Sequence, residues 1–306
     1  MNLAQRIHKR AYLQTSLKAN ITKERKIMSS EITVIVPLAG SSFFFKENEL
    51  VFPKILTEIC GATMLERFIS NLAQIKPRFV FILKKEQIKK YALDEAIKIL
   101  ASNSIILALE NETQGMALSA LWAIDFLEGE IIICNLDQII NANLNKIIKS
   151  FRKFDAGVIT FESLHPRYSF VISDENNLLL QAFEKKPISK KAIAGFYYFK
   201  RGSDFVQACE SMVAKDNHID GKFYIAPCLN EMILKNLKIL AYEIEQTQYH
   251  TFYSPAKIAE FEAKFLPLLR EGRSLNEVLN STLNEDRVNS LSRAKNLKNS
   301  KIKEDD

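Results

Sequence analysis

Cysteine is scarce and scattered. Cys60, Cys134, Cys209 and Cys228 are the only four in 306 residues, and no two stand at CxxC spacing. That excludes a zinc cluster of the usual spacing and a disulfide framework, and a reducing cytoplasm is the compartment that fits. Long apolar runs are missing too. The longest, such as Ile131 to Cys134, are strand-sized, against the roughly 18–20 residues a membrane span needs, so no integral membrane segment is expected. The N-terminal stretch lacks the continuous apolar core of a secretion signal.

Net basic charge is absent from the body of the chain. Residues 1–30 carry Arg6, Lys9, Arg10, Lys18, Lys23, Arg25 and Lys26 against Glu24, which accounts for the whole formal net charge of +6 and leaves the rest neutral. A nucleic-acid-binding body normally carries a basic stripe to neutralise phosphates, and a body without net positive charge argues against one, so no nucleic-acid partner is expected. The leader has helical character (Leu3, Ile7, Tyr12, Leu17, Ile21), which suits either a solvated, flexible arm or a contact with a membrane or partner. Met28, just before the first strand-like run, is an alternative start.

What is present is apolar content: 47% hydrophobic residues in a chain long enough for one large or two modest domains. Strand and helix signals alternate as in a parallel sheet with crossover helices. Strands are expected at Ile32–Pro37, Arg78–Leu83, Ser104–Leu107 and Ile131–Asn135, with helices at Thr63–Ile75, Glu86–Leu100 and Met116–Leu127 between them. The second half reads as a mixed or antiparallel extension with strands at Gly157–Phe161, Phe170–Ser173, Leu178–Phe183 and Ala194–Phe199. Helices follow at Ser203–Ala214 and Tyr224–Lys235, then an apolar segment at Ile239–Ile244 and a helix opened by Ser254 and Pro255. The expected organisation is a leader over 1–30, one α/β domain over 31–269, and a polar helical or disordered tail over 270–306.

Polar loops follow the first, third and fourth strands, at the carboxyl ends where open α/β sheets bind ligands. The first, Leu38-Ala39-Gly40-Ser41, opens a loop that closes on Pro53 and Lys54, an arrangement that wraps backbone round phosphates. The loop around Gln114 and Gly115 offers an amide for a base edge and room for a planar ring, or is a plain helix start. Asp137, in Asn135-Leu136-Asp137-Gln138, suits either a hard cation such as Mg²⁺ or an Asx turn. Lys185, in Glu184-Lys185-Lys186-Pro187, is either part of a solvated turn or a phosphate ligand at a strand end.

The ordered set of LAG, FPK, TQG, NLDQ, FE-x-x-HP, FEKKP, AGFYYF, FY-x-x-P-x-x-NE and a final SP helix spans about residues 32–265. It resembles the bacterial sugar-phosphate nucleotidyltransferases of capsule and surface-polysaccharide pathways. The resemblance implies a doubly wound, mostly parallel α/β fold that joins an NTP to a sugar 1-phosphate or related phosphorylated small molecule and releases pyrophosphate. It further implies that Leu38, Ala39, Gly40 and Ser41 hold the nucleotide, that Gln114 and Gly115 read the base, and that Lys54 stabilises the phosphates. Asp137 would bind Mg²⁺, Lys185 would grip the acceptor phosphate, and Glu184 and Gly195 would line the acceptor pocket. Lys54, Asp137 and Lys185 would be the catalytic set, in a cytoplasmic protein compatible with a homo-oligomer.

Three positions depart from the pattern. Ser42 and Phe44 replace a glycine and an arginine of the phosphate loop, and Thr251 stands near a second metal-binding carboxylate of relatives. These bear on triphosphate and metal handling, and they keep open a catalytically impaired nucleotide-sugar sensor or assembly subunit. A glycosyltransferase of related fold is disfavoured, since Asn135-Leu136-Asp137 offers one carboxylate where a D-x-D motif offers two.

Overall fold

A computed structural model describes residues 31–40 and 52–283. The leader (1–30), Ser41, Ser42, Phe44 and residues 284–306 lie outside the described residues. Nine strands form the central sheet: β1 (Thr33–Pro37), β2 (Arg78–Lys84), β3 (Ile105–Leu109), β4 (Ile131–Cys134), β5 (Ala156–Glu162), β6 (Ser169–Ser173), β7 (Leu179–Glu184), β8 (Lys191–Phe199) and β9 (Ile239–Glu243). The main path runs β7-β6-β8-β4-β1-β2-β3, with β5 pairing β8 and β9 pairing β5.

The β-branched run of β1 explains its central place. Val34 and Val36 pack on one face of the sheet and Ile35 on the other, all fully buried. Strands β3, β2, β1 and β4 are mutually parallel. Because parallel strands demand crossovers, both faces are covered by helices. One face carries α1 (Met64–Leu72), α3 (Leu93–Leu100), α5 (Leu144–Phe151) and α8 (Pro255–Leu269), while α4 (Met116–Leu121), α6 (Gly202–Ala214) and α7 (Ile225–Leu234) cover the other. The fold is therefore doubly wound, with a mixed extension in which β8 runs antiparallel to β4, β5 and β6. Val278 and Leu279, past the end of α8, are buried in the same core layer as α8.

Two expected helices are shorter than their apolar spacing predicts. The stretch over 86–100 divides into α2 (Lys85–Tyr91) and α3, because Ala92 adopts φ +49. The stretch after Met116 ends its α-helix at Leu121, leaves helical dihedrals at Ala123 and continues as a 3₁₀ turn at Ile124–Phe126. Among the described residues, no helix is long and apolar enough to cross a membrane.

Topology fixes where a ligand can sit. From β1 the chain order moves outward one way to β2 and β3 and the other way to β4, so the crevice between the carboxyl ends of β1 and β4 is the switch point of the parallel half. Pro37 ends β1 and Cys134 ends β4, which brings the Leu38–Gly40 and Asn135–Asp137 loops to that crevice.

Candidate active site

The loop after β1 leaves the sheet at Leu38, whose amide donates to the Ile82 carbonyl (2.8 Å). Ala39 is buried, Gly40 is exposed, and a Cβ on Gly40 would meet nothing within 4 Å. Pro53 then starts a 3₁₀ turn at Lys54–Leu56. Lys54 Nζ donates to Asp137 Oδ2 at 2.6 Å, joining the 3₁₀ turn at Lys54 to the loop that follows β4 across 83 positions of sequence. Burial alone would raise the Asp137 carboxyl. Lys54, with a contribution from the Arg167 guanidinium, outweighs it and holds the group below the usual aspartate range. Asp137 is therefore an anion at neutral pH.

Gln138 organises the floor beneath it. This residue is 3% exposed; its Nε2 donates to the Gly195 carbonyl (3.1 Å), and its Oε1 accepts from the Tyr249 hydroxyl (3.2 Å). The Asn135 amide donates to the same Gly195 carbonyl (2.9 Å). Gly195 sits at φ +55, inside the register break of β8 against β5, and a Cβ there would lie 2.3 Å from Asn135 Nδ2. Only glycine lets β8 come this close to the Asp137 loop. Sequence reading missed Gln138 as a structural tie; its one signal was a polar residue between Asp137 and two isoleucines.

A short antiparallel ribbon, Gln138–Ile140 with Tyr249–Thr251, was also unforeseen. It pairs Thr251 with Gln138, and the Phe252 amide donates to the Asp137 carbonyl (2.8 Å). Thr251 thus flanks Asp137. Among the described residues, no group of three or more His, Cys, Asp and Glu side chains is placed to hold a metal ion. One carboxylate beside a threonine does not make an all-protein cage. It does fit Mg²⁺ that arrives on a nucleotide, an ion that keeps several waters and needs one or two carboxylates besides substrate phosphates.

Gln114 and Gly115 lie at the start of α4, with Gly115 at φ +108. Phe223 seats on this loop: its amide donates to the Gln114 carbonyl (2.8 Å), and its carbonyl accepts from the Ala117 amide (3.1 Å). The Gln114 side chain is exposed.

Glu184 and Lys185 stand at the end of β7. Glu184 is 8% exposed, and burial pushes its carboxyl up to about 7, although the Ser169 hydroxyl (2.5 Å) and Lys185 act the other way. Lys185 has φ +55; its amide donates to the Tyr168 carbonyl (3.1 Å) and its Nζ to Tyr224 Oη (2.7 Å). Aromatic contacts link this end to the Asp137 floor: Tyr168 lies 6.3 Å from Tyr249, and Arg167 stacks on Tyr253 with its guanidinium carbon 3.1 Å from the ring centroid. Lys54 with Asp137 is thus a direct pair. Gly195 joins them through Gln138 and Asn135, and Gln114–Gly115 joins Lys185 through Phe223 and Tyr224. The His250 ring lies against Phe261 and Phe265, and burial, with the nearby Lys264 charge, lowers its pKa to about 4 and keeps it neutral.

A nucleotidyl transferase family model matches residues 50–224, more than half of the chain. Among curated proteins, the bifunctional protein GlmU of Methanococcus aeolicus is 26% identical over 155 residues, which is 48% of this chain and 35% of that protein. The chain therefore spans about a third of that relative's length. A nucleoside-diphosphate-sugar pyrophosphorylase from Vibrio cholerae RC9 superposes with a TM-score of 0.66 at 25% identity, over 74% of this chain and 98% of that one. A putative glucose-1-phosphate thymidylyltransferase from Bacillus anthracis gives 0.61 at 16% identity (81% and 99%), and the inositol-1-phosphate CTP transferase from T. maritima 0.59 at 12% (76% and 97%). The last two likenesses speak for the fold.

Proposed function

The chain belongs to the nucleotidyl transferase family, and we propose that it joins an NTP to a sugar 1-phosphate or related phosphorylated small molecule, releasing pyrophosphate. The observation that carries this reading is the Lys54–Asp137 pair at the switch point of the parallel half. It sets a cation for phosphates and a carboxylate for their counter-ion at the place where α/β sheets receive nucleotides. The GlmU likeness and the pyrophosphorylase likeness support the same reaction class.

In this reaction an acceptor phosphate oxygen attacks the α-phosphorus while pyrophosphate leaves in line, so the task is to align two anions and offset the developing charge. The backbone of Leu38 to Ser41 holds the nucleotide, and Gln114 with Gly115 faces the base. Lys54 turns from Asp137 to the phosphates. Asp137 would hold Mg²⁺, which would supply further charge neutralisation when bound. Lys185 grips the acceptor phosphate, and Glu184 with Gly195 shapes the acceptor pocket. A place in surface-polysaccharide precursor synthesis follows from the ordered motif set, and a reducing cytoplasm is the setting that the sparse, scattered cysteines fit.

Thr251 beside Asp137 supports a second reading, a nucleotide-sugar-binding subunit that no longer catalyses. One experiment separates them: incubation with each NTP, Mg²⁺ and a panel of sugar phosphates, followed by pyrophosphate release. Release with a defined NTP and acceptor is expected. Silence across the panel, with calorimetric NTP binding retained, would replace the catalytic reading with the second.

A further inference from the structure

The segment entering α7 touches both halves of the site, and the proposed chemistry gives it no task. Phe223 lies across the Gln114–Gly115 loop so closely that a Cβ on Gly115 would fall 2.4 Å from its carbonyl oxygen. The next residue, Tyr224, reaches the other way. Its phenol oxygen accepts from Lys185 Nζ at 2.7 Å, and the ammonium sits 4.7 Å from the ring centroid. Further along α7, Asn230 pairs its side-chain amide with both backbone groups of Ala182 (2.8 Å each), fixing the strand that leads to Lys185. One helix entrance is thus tied to the nucleotide loop, to the strand bearing Glu184, and to the lysine itself.

We infer that Tyr224 is the positioning residue for Lys185: seated on the nucleotide loop through Phe223, its phenol holds the ammonium toward the acceptor phosphate. This rests on the reading of Lys185 as the acceptor-phosphate group. A lysine side chain is long and loses much rotamer freedom when fixed, so an exposed one binds phosphate poorly unless something else holds it. One phenol oxygen occupies one of its three N–H donors and leaves the others for phosphate oxygens. The charged groups around it are consistent. Partial burial would lower the Lys185 ammonium, but Tyr224, then Glu184 and Asp220, outweigh it and keep the group charged. Coupling also follows, since whatever moves Gln114–Gly115 moves Phe223 and with it the lysine.

Tyr224→Phe tests this, because it keeps the ring and removes only the oxygen. The expected result is an acceptor KM raised roughly 3- to 10-fold, the loss of one hydrogen bond to a charged group, with NTP KM within about twofold of wild type. A merely structural role would raise both together, and that result would overturn the inference. A second readout needs no turnover: ¹³C reductive methylation and NMR titration of Lys185, its signal assigned by loss in Lys185→Gln. The Lys185 pKa is expected to fall in Tyr224→Phe. An unmoved titration overturns the inference even if wild type is active. If wild type releases no pyrophosphate on any substrate panel, it is the activity that fails, and the titration alone decides the role of Tyr224.

Discussion

Asp137 and Glu184 are two carboxylates of the candidate site, and their surroundings drive them in opposite directions. Both are removed from water, which disfavours the charged form of each. Asp137 receives Lys54 at 2.6 Å and the field of Arg167, so its carboxyl is held low. Glu184 receives a neutral hydroxyl from Ser169, while its neighbour Lys185 spends its ammonium on Tyr224, so burial wins and the carboxyl rises to about 7. On the proposed reading, two acids held apart in this way would serve two tasks: a fixed anion for a cation-bearing triphosphate, and a group that near neutrality can donate or accept toward an acceptor hydroxyl.

The largest effect expected from breaking this contrast is at the fixed anion. Asp137→Asn keeps the size and removes the charge that faces Lys54. Pyrophosphate release should fall at least about 10²-fold, the scale of losing one preorganised electrostatic partner. Turnover like wild type in Asp137→Asn, followed by coupled assay at saturating Mg²⁺ and NTP, would show that charge handling lies elsewhere.

A smaller effect tests whether the Gln114–Gly115 loop and the Lys185 end of the candidate site are mechanically joined. Gly115→Ala would drive a methyl into the Phe223 backbone at φ +108, whereas Gly61→Ala, at φ +81, meets nothing within 4 Å. The second change bears only the left-handed backbone cost, about 1 kcal/mol; the first adds a clash with atoms that cannot rotate away, for a total of roughly 2–4 kcal/mol. Urea unfolding measures both. Equal losses would mean that the Phe223 seat yields easily and the two are only loosely tied.

The parallel half was legible because its signals are local. A β-branched run made β1, and apolar strands ending in polar loops put Leu38–Gly40 and Asp137 at the carboxyl edge, where they are found. The pairing of Lys54 with Asp137 was not legible, since nothing local links residues 83 positions apart. The Gln138–Thr251 ribbon escaped for a related reason: three-residue strands carry too little periodicity to stand out, and this one is defined by its partner. Ala92 interrupts a helix without the Gly or Pro that marks such breaks, so its left-handed φ is imposed by packing of Leu93 and Ile97 into the core rather than by residue type. Cys209 and Cys228 likewise meet in the core, Sγ to Sγ 3.3 Å, from helices whose spacing in sequence shows no pairing.

Glu184 gives the finest test of the contrast, and its sign can be worked out. The carboxyl titrates near 4.5 when unfolded and is raised to about 7 in the fold. The unfolded chain therefore releases this proton first as pH rises, and the folded state loses stability through the window from about 4.5 to 7. Below the window Glu184 is neutral in both states and costs nothing; above it the penalty is complete, roughly 3 kcal/mol for a shift of this size. Glu184→Gln carries no charge in either state and can still accept from the Ser169 hydroxyl. The difference in unfolding free energy between variant and wild type should be near zero at pH 4.5 and should grow in favour of the variant up to pH 8. Other titrating groups cancel in that difference. Parallel profiles across the window would mean that Glu184 ionises in the fold as readily as in the unfolded chain, and both carboxyls would then be anions at neutral pH.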